Sequence, residues 1–296
     1  MFTRNAVRTT ALSLSVLIVA APAARATENA SLPALPETEH FTIDPVVDGV
    51  LVAGGIGFAE MLSLILSTGE IRPTHPGNPD VLLSIDRGAV TQTIDPNAGT
   101  RSTVGLYAAY GYALLDPILS GVRDGRHALL VDAVLYAESI ALTQAFTGAT
   151  KIGVRRPRPI DYAQCGDVPP GSPGCSSTDL QLSFFSGHAS TTGAISATAT
   201  YLAFMRSGPR HARPWITLGV GTLLTAFVSY ERVRSGYHFP TDVIMGSLAG
   251  AGIGVLVPHF HRRPHFHEST YCAPPVIIGF GPTSPSSGEV TLSFRF

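Results

Sequence analysis

The chain has 296 residues, 45% hydrophobic and only 14% charged, with a formal net charge of −1. That length suits one large domain or two small ones, and the apolar fraction is ample for a core. The near-zero charge offers no basic surface for nucleic acid, and the charged share lies well below the about 25% of ordinary soluble domains.

The first residues read MFTRNAVRTTALSLSVLIVAAPAARA. Arg4 and Arg8 form a basic start, Ala11–Ala21 is an apolar run too short to span a bilayer, and Ala24 and Ala26 are the small residues a signal peptidase reads. Residues 1–26 are therefore expected to be a secretory signal cut near Ala26, sending the chain to the periplasm or cell envelope. Residues 27–45, rich in Pro and polar side chains, read as an extended lead-in.

Six apolar segments of helical length follow, roughly Val46–Ser67, Ser102–Gly121, Ala128–Ala149, Ala189–Arg206, Pro214–Tyr230 and Thr241–Val257. Pro, Gly and Asp cluster between them at 72–99, 157–175 and 207–214. The expected fold is all-α, a bundle of about six core helices over 46–260, with its motifs in 128–257. Asp48, Glu60, Asp116, Asp132 and Glu138 interrupt the segments, and a spanning helix needs about 20 largely apolar residues. A soluble or membrane-peripheral bundle is expected, with an integral membrane protein as the alternative.

Residues 261–296 read as a His-rich linker and a short C-terminal β-hairpin, Val276–Phe280 paired with Glu289–Phe296. His259, His261, His265 and His267 match no rigid metal-site spacing, and Pro264 interrupts any helix, so no metal is expected. Of the three cysteines, Cys165 and Cys175 bracket the loop CGDVPPGSPGC and are expected to form a disulfide in an exported chain, leaving Cys272 unpaired.

Three clusters carry the chemistry. KIGVRRPRP ends the third segment with Lys151 and Arg158. SFFSGHAS starts the fourth with Ser186, Gly187 and His188. ERVRSGYHFPTD joins the fifth and sixth through Arg232, His238 and Asp242. In an up-and-down bundle the chain order brings all three to one rim. Lys151, Arg158 and Arg232 suit phosphate oxygens, and the N–H groups of Ser186 and Gly187 at a helix start suit an anion. Asp242, within the turn that begins at Pro240, is expected to accept a proton from the His238 imidazole. The other ring nitrogen is then left to attack, with His188 as acid and base. Arg155, Arg156 and Arg234 read as solvated or paired with acids such as Asp161, with contact to a substrate headgroup as the alternative.

The ordered set Lys-x6-Arg-Pro, Ser-Gly-His and Arg-x5-His-x3-Asp resembles the motifs of the type 2 phosphatidic acid phosphatase and vanadium haloperoxidase superfamily. The resemblance covers about Ala128–Val257. It implies an all-α bundle in which Lys151, Arg158, Ser186, Gly187 and Arg232 bind phosphate. It makes His188 the general acid, His238 the nucleophile that carries a phosphohistidine, and Asp242 its orienting partner. Phe185 departs from the Pro common before Ser-Gly-His. The expected activity is a metal- and cofactor-independent acid or lipid phosphatase acting on a phosphorylated small molecule or lipid. The alternatives are a haloperoxidase holding vanadate in the same cradle and a non-catalytic envelope protein.

Overall fold

The computed structural model describes residues 40–68, 76–169, 172, 175 and 182–263. The signal peptide, most of the lead-in, Cys272 and the expected C-terminal hairpin lie outside the described residues. Within them the chain forms eight α-helices. They are α1 (Pro45–Ser67), α2 (Ser84–Thr91), α3 (Ala98–Asp124), α4 (Arg126–Val154), α5 (Pro159–Cys165), α6 (Gly187–Ser207), α7 (Ala212–Arg234) and α8 (Pro240–Phe260). The six long ones are the six apolar segments. The short α2 and α5 fall in stretches expected to be loops.

Local chemistry sets the helix starts. Asp44 caps α1, its Oδ1 accepting from the N–H groups of Val46 (2.9 Å) and Val47 (3.1 Å), with Pro45 in the first turn. Ser186 Oγ caps α6, and Pro240 opens α8. Gly125, at φ 90°, turns α3 directly into α4.

Residue pairings fix the direction of each helix. Tyr110 meets Gln144 and Asp116 meets Tyr136, so α3 and α4 are antiparallel. Thr147 meets Ser190 and Ser139 meets Thr198, so α4 and α6 are antiparallel. Arg101 meets Glu231 and Arg213 meets Asp116, which sets α3 against α7. One rim thus holds the starts of α3, α6 and α8 and the ends of α4 and α7. The closest seam is between the parallel α6 and α8. A Cβ on Gly246, Gly250 or Gly254 would lie 2.8, 1.8 and 2.3 Å from the carbonyl oxygens of Ser186, Ser190 and Ala194. Only glycine lets the two backbones touch along that line.

Four of the five acids that interrupt the apolar segments turn inward, and Glu60 is exposed. Asp116 accepts from Tyr136 (2.9 Å) and Arg213 (3.0 Å), and Asp132 holds Arg206. Asp48 and Glu138 are also buried. The outward faces stay apolar, with Leu114, Val122, Val220, Leu223, Leu248 and Phe260 largely exposed. Apart from Glu60, the acids within the apolar segments therefore interrupt the composition but not the outer surface. Among the described residues, three helices are long and apolar enough to cross a membrane, those within Pro45–Ile65, Arg126–Cys165 and Pro240–Phe260. This supports membrane association.

Candidate active site

All three motif clusters meet at the rim. Lys151 ends α4 and lines a cavity of about 500 Å³ with Gly187 and His188. The guanidinium carbons of Arg158 and Arg232 lie 4.9 and 4.6 Å from the centre of one ring, that of Tyr237. Arg232 and Tyr237 line a second cavity, of about 470 Å³, together with Thr103. Thr103 in turn joins the two sides, its Oγ1 lying 3.3 Å from His188 Nε2. Thr103 Oγ1 donates its own proton to the Gly99 carbonyl at 3.0 Å. It is therefore an acceptor for a proton on His188 Nε2.

His238 is buried and its ring is pinned. Nδ1 lies 2.8 Å from the main-chain oxygen of Ser183, so Nδ1 carries a proton and Nε2 a lone pair. This corrects the expected arrangement, because Asp242 does not take that proton. Its Oδ2 stands 3.8 Å from Nδ1. The carboxylate instead accepts from Ser183 Oγ, from the Phe239 N–H at 2.8 Å, and from Arg156 Nη1 at 2.5 Å. Asp242 thus fixes Ser183 by its side chain, and Ser183 orients the histidine by its carbonyl.

Ser186 also differs from expectation. Its N–H donates to the Asp242 carbonyl at 3.1 Å, and its Oγ caps α6 by accepting from the Ala189 N–H at 3.4 Å. Ser186 ties the starts of α6 and α8 together, and the N–H groups of the first turn, at Gly187 and His188, remain those aimed outward from the helix. A Cβ on Gly187 would make only ordinary contact with Thr147, at 3.5 Å. Phe185 is buried, its ring 5.7 Å from that of Phe146.

Asp86 escaped the sequence-based reading. Arg156 is paired with acids, one of the states expected of it. It bridges Asp242 and Asp86 (Nη2 to Oδ2, 2.7 Å), with its guanidinium carbon 4.0 Å from the centre of the Phe239 ring. Asp86, on α2 and fully buried, also accepts from the Thr241 N–H (3.0 Å) and hydroxyl (2.6 Å). The signal for Asp86 was faint, a lone acid in a Pro/Gly/Asp-rich stretch. The same stretch clamps the turn after α7. Gln92 Nε2 donates to the Val233 carbonyl at 2.7 Å, and the Asp95 N–H to the Arg234 carbonyl at 3.1 Å. Gly236 turns that loop at φ 73°, where a Cβ would stand 3.0 Å from Ile94. Cys165, the last residue of α5, is disulfide-bonded to Cys175, as expected.

The field at the rim acts on both histidines. Burial, then Arg232, Lys151 and Arg158, lowers His188 from 6.5 to about 4. Burial, then Arg232, Arg158 and Lys151, holds His238 well below its usual range. The same three cations therefore bear on both rings, which is what an anion bound between them would require.

Residues 132–266 match the family model described as PAP2 superfamily. Among solved structures, the chain is similar to one described as the first transmembrane PAP2 type phosphatidylglycerolphosphate phosphatase from Bacillus subtilis. The match has 19% identity, covers 72% of this chain and 94% of that one, and has a TM-score of 0.42. No curated protein matches the chain. The three PAP2-like motifs, from Lys151 to Asp242, all lie inside the matched residues.

Proposed function

We propose that the protein is a membrane-associated phosphatase that hydrolyses phosphate monoesters or diphosphates through a phosphohistidine on His238. The observation that carries this is the Nδ1 contact to Ser183, which leaves Nε2 unprotonated at a rim where Lys151, Arg158 and Arg232 converge. Phosphate oxygens sit among these three cations and the first N–H groups of α6. His238 Nε2 attacks phosphorus, the N–P bond forms, and the P–O bond to the leaving group breaks. His188 gives the leaving oxygen its proton. His188 then takes a proton from water as the hydroxide attacks phosphorus, the N–P bond breaks, and inorganic phosphate leaves. The cations stabilise charge on the equatorial oxygens in both steps. No step calls for a metal or organic cofactor.

His188 is deprotonated above about pH 4 in the free site, whereas the first step needs it protonated. A bound phosphate adds negative charge beside the ring and raises its affinity for a proton. The value of kcat/KM is therefore expected to fall as pH rises, giving an acid optimum.

We further infer that the rim faces an oxidising compartment, since the Cys165–Cys175 disulfide lies in the loop beside it. α1 runs parallel to α4, with Gly55 against Ala141 and Leu62 against Gly148, so α1 starts away from the rim. A leader cut near Ala26 is compatible with an outward rim only if α1 does not cross the membrane. N-terminal sequencing of the mature chain, beside labelling of Ser172→Cys by an impermeant maleimide in intact cells, tests both points.

The functional test is phosphate release by detergent-purified protein with no metal added. The substrates are an aryl phosphate, a nucleotide, phosphatidate and an isoprenyl diphosphate. Release that His238→Ala abolishes, with an acid-labile, alkali-stable phosphoenzyme trapped in the wild type, is the expected result. Release that survives His238→Ala would overturn the nucleophile assignment. Halide oxidation with vanadate and peroxide, in place of phosphate release, would favour the haloperoxidase reading.

A further inference from the structure

α1, α4 and the residue that follows α8 bring three metal-ligand side chains together, away from the rim. Asp48, Glu138 and His261 each place one donor atom within 4.8 Å of the other two, and the two carboxylates are 4% and 3% exposed. His261 Nε2 stands 3.2 Å from Asp48 Oδ1 and 3.4 Å from Glu138 Oε2. Those separations match the edge, about 3.3 Å, of a tetrahedron whose centre lies about 2.0–2.1 Å from nitrogen and oxygen ligands.

Two of the three are already oriented by a second set of hydrogen bonds. His261 Nδ1 lies 2.8 Å from the Val257 carbonyl, which fixes its proton there and turns Nε2 to the carboxylates. Asp48 Oδ2 accepts from the Asp44 N–H at 2.8 Å, which leaves Oδ1 inward. Glu138 supplies an independent sign. Its Oε2 is buried and, among the described residues, accepts no hydrogen bond. Even a protonated imidazole leaves one negative charge uncompensated within the cluster, and a buried carboxylate oxygen without a donor is costly. A divalent cation neutralises both carboxylates and needs a neutral imidazole.

We propose that Asp48, Glu138 and His261 bind a first-row divalent cation, with zinc the best fit to one imidazole and two carboxylates. The ion clips the start of α1 to α4 and to the end of α8. The backbone there is already paired, the Thr42 N–H donating to the His261 carbonyl at 2.9 Å and the Arg263 N–H to the His40 carbonyl at 3.1 Å. The clip is structural and independent of the phosphatase reading. His261 belongs to the histidine run that matched no metal spacing along the chain, because its partner Asp48 is 213 residues away.

The test uses untagged full-length protein in detergent, with His265→Ala and His267→Ala to remove two of the other three histidines of that run. The protein is stripped with a chelator, dialysed against buffered Zn2+, and measured for zinc content and Tm. One zinc per chain, a Tm raised by several degrees, and visible ligand-field bands with Co2+ are expected. Glu138→Gln should weaken zinc binding by about tenfold or more. His261→Asn should do the same, and it serves if the first variant does not fold. Zinc content is scored apart from phosphate release, so loss of activity alone does not bear on the clip. A stripped wild-type chain that takes up no zinc would overturn the proposal, and so would zinc affinity equal to the wild type's in both variants.

Discussion

The two histidines at the rim are held in opposite ways. His238 is buried, and its Nδ1 is fixed by a carbonyl that Asp242, Arg156 and Asp86 hold in series. His188 is half-buried in the first turn of α6, and the one hydrogen bond of its ring among the described residues is to Thr103, at 3.3 Å. The contrast fits two duties. A nucleophile gains from fixed aim, because misplacement by about 1 Å costs about 10²-fold in rate. A group that gives a proton and later takes one back gains from a lighter tether.

The contrast breaks most completely where both histidines depend on one seam. Gly250→Ala would set a Cβ 1.8 Å from the Ser190 carbonyl oxygen, and both atoms are on backbones that cannot swing aside. α6 and α8 must then separate, carrying His188 and His238 apart. We expect destabilisation of about 3 kcal/mol or more and loss of measurable activity in whatever folds. Gly252→Ala, on the same helix with nothing within 4 Å, should be silent. Thermal unfolding of the two variants in one detergent checks this, and equal stabilities would remove the seam from the account.

The next largest effect should fall on His238 alone. Asp86→Asn removes the charge that holds Arg156 and Thr241, without touching either histidine. Activity should drop about 10²-fold through misalignment, mainly in kcat, while phosphate still binds. An unchanged kcat would show that Asp242 needs no support from α2.

How much of this was legible in the chain follows from distance along it. The six long helices each carry their own apolar record, and the motif residues sit at helix ends that an up-and-down order brings together. Asp86 escaped because its partners are Arg156 and Thr241, 70 and 155 residues away. Asp242 was placed correctly but given the wrong contact, since spacing four residues from His238 cannot distinguish a side-chain acceptor from the Ser183 carbonyl. The acids of α1, α3 and α4 misled for a related reason. Composition counts Asp116 and Asp132, but only packing shows that they face Arg213 and Arg206 inside the bundle.

Stability against pH sharpens the comparison for His188. In the unfolded chain it protonates below about 6.5, and in the folded one only near 4. Its neutral form therefore contributes stability that is fully present above 6.5 and is lost as pH falls toward 4. Between pH 7 and 5 that loss is about 2 kcal/mol. His188→Asn should lose less Tm over this interval than the wild type. The His238 share of the acid sensitivity, also from a lowered pKa, should persist in the variant. Parallel Tm curves for the two proteins would contradict the depressed value.

The smallest effect belongs to the tether itself. Thr103→Val keeps the shape of the side chain and removes the oxygen facing His188 Nε2. The protonated ring loses an acceptor, so it should give up its proton more readily. One hydrogen bond of this kind is worth about 1 kcal/mol, which corresponds to about fivefold in rate. We expect kcat to fall by that amount with KM unchanged, and the alkaline limb of kcat/KM to move to lower pH. Thr103→Ser should restore both, because the hydroxyl returns without the methyl. A fall in kcat with no shift of the limb would mean that Thr103 only packs. The two histidines would then differ in burial but not in how their protons are held.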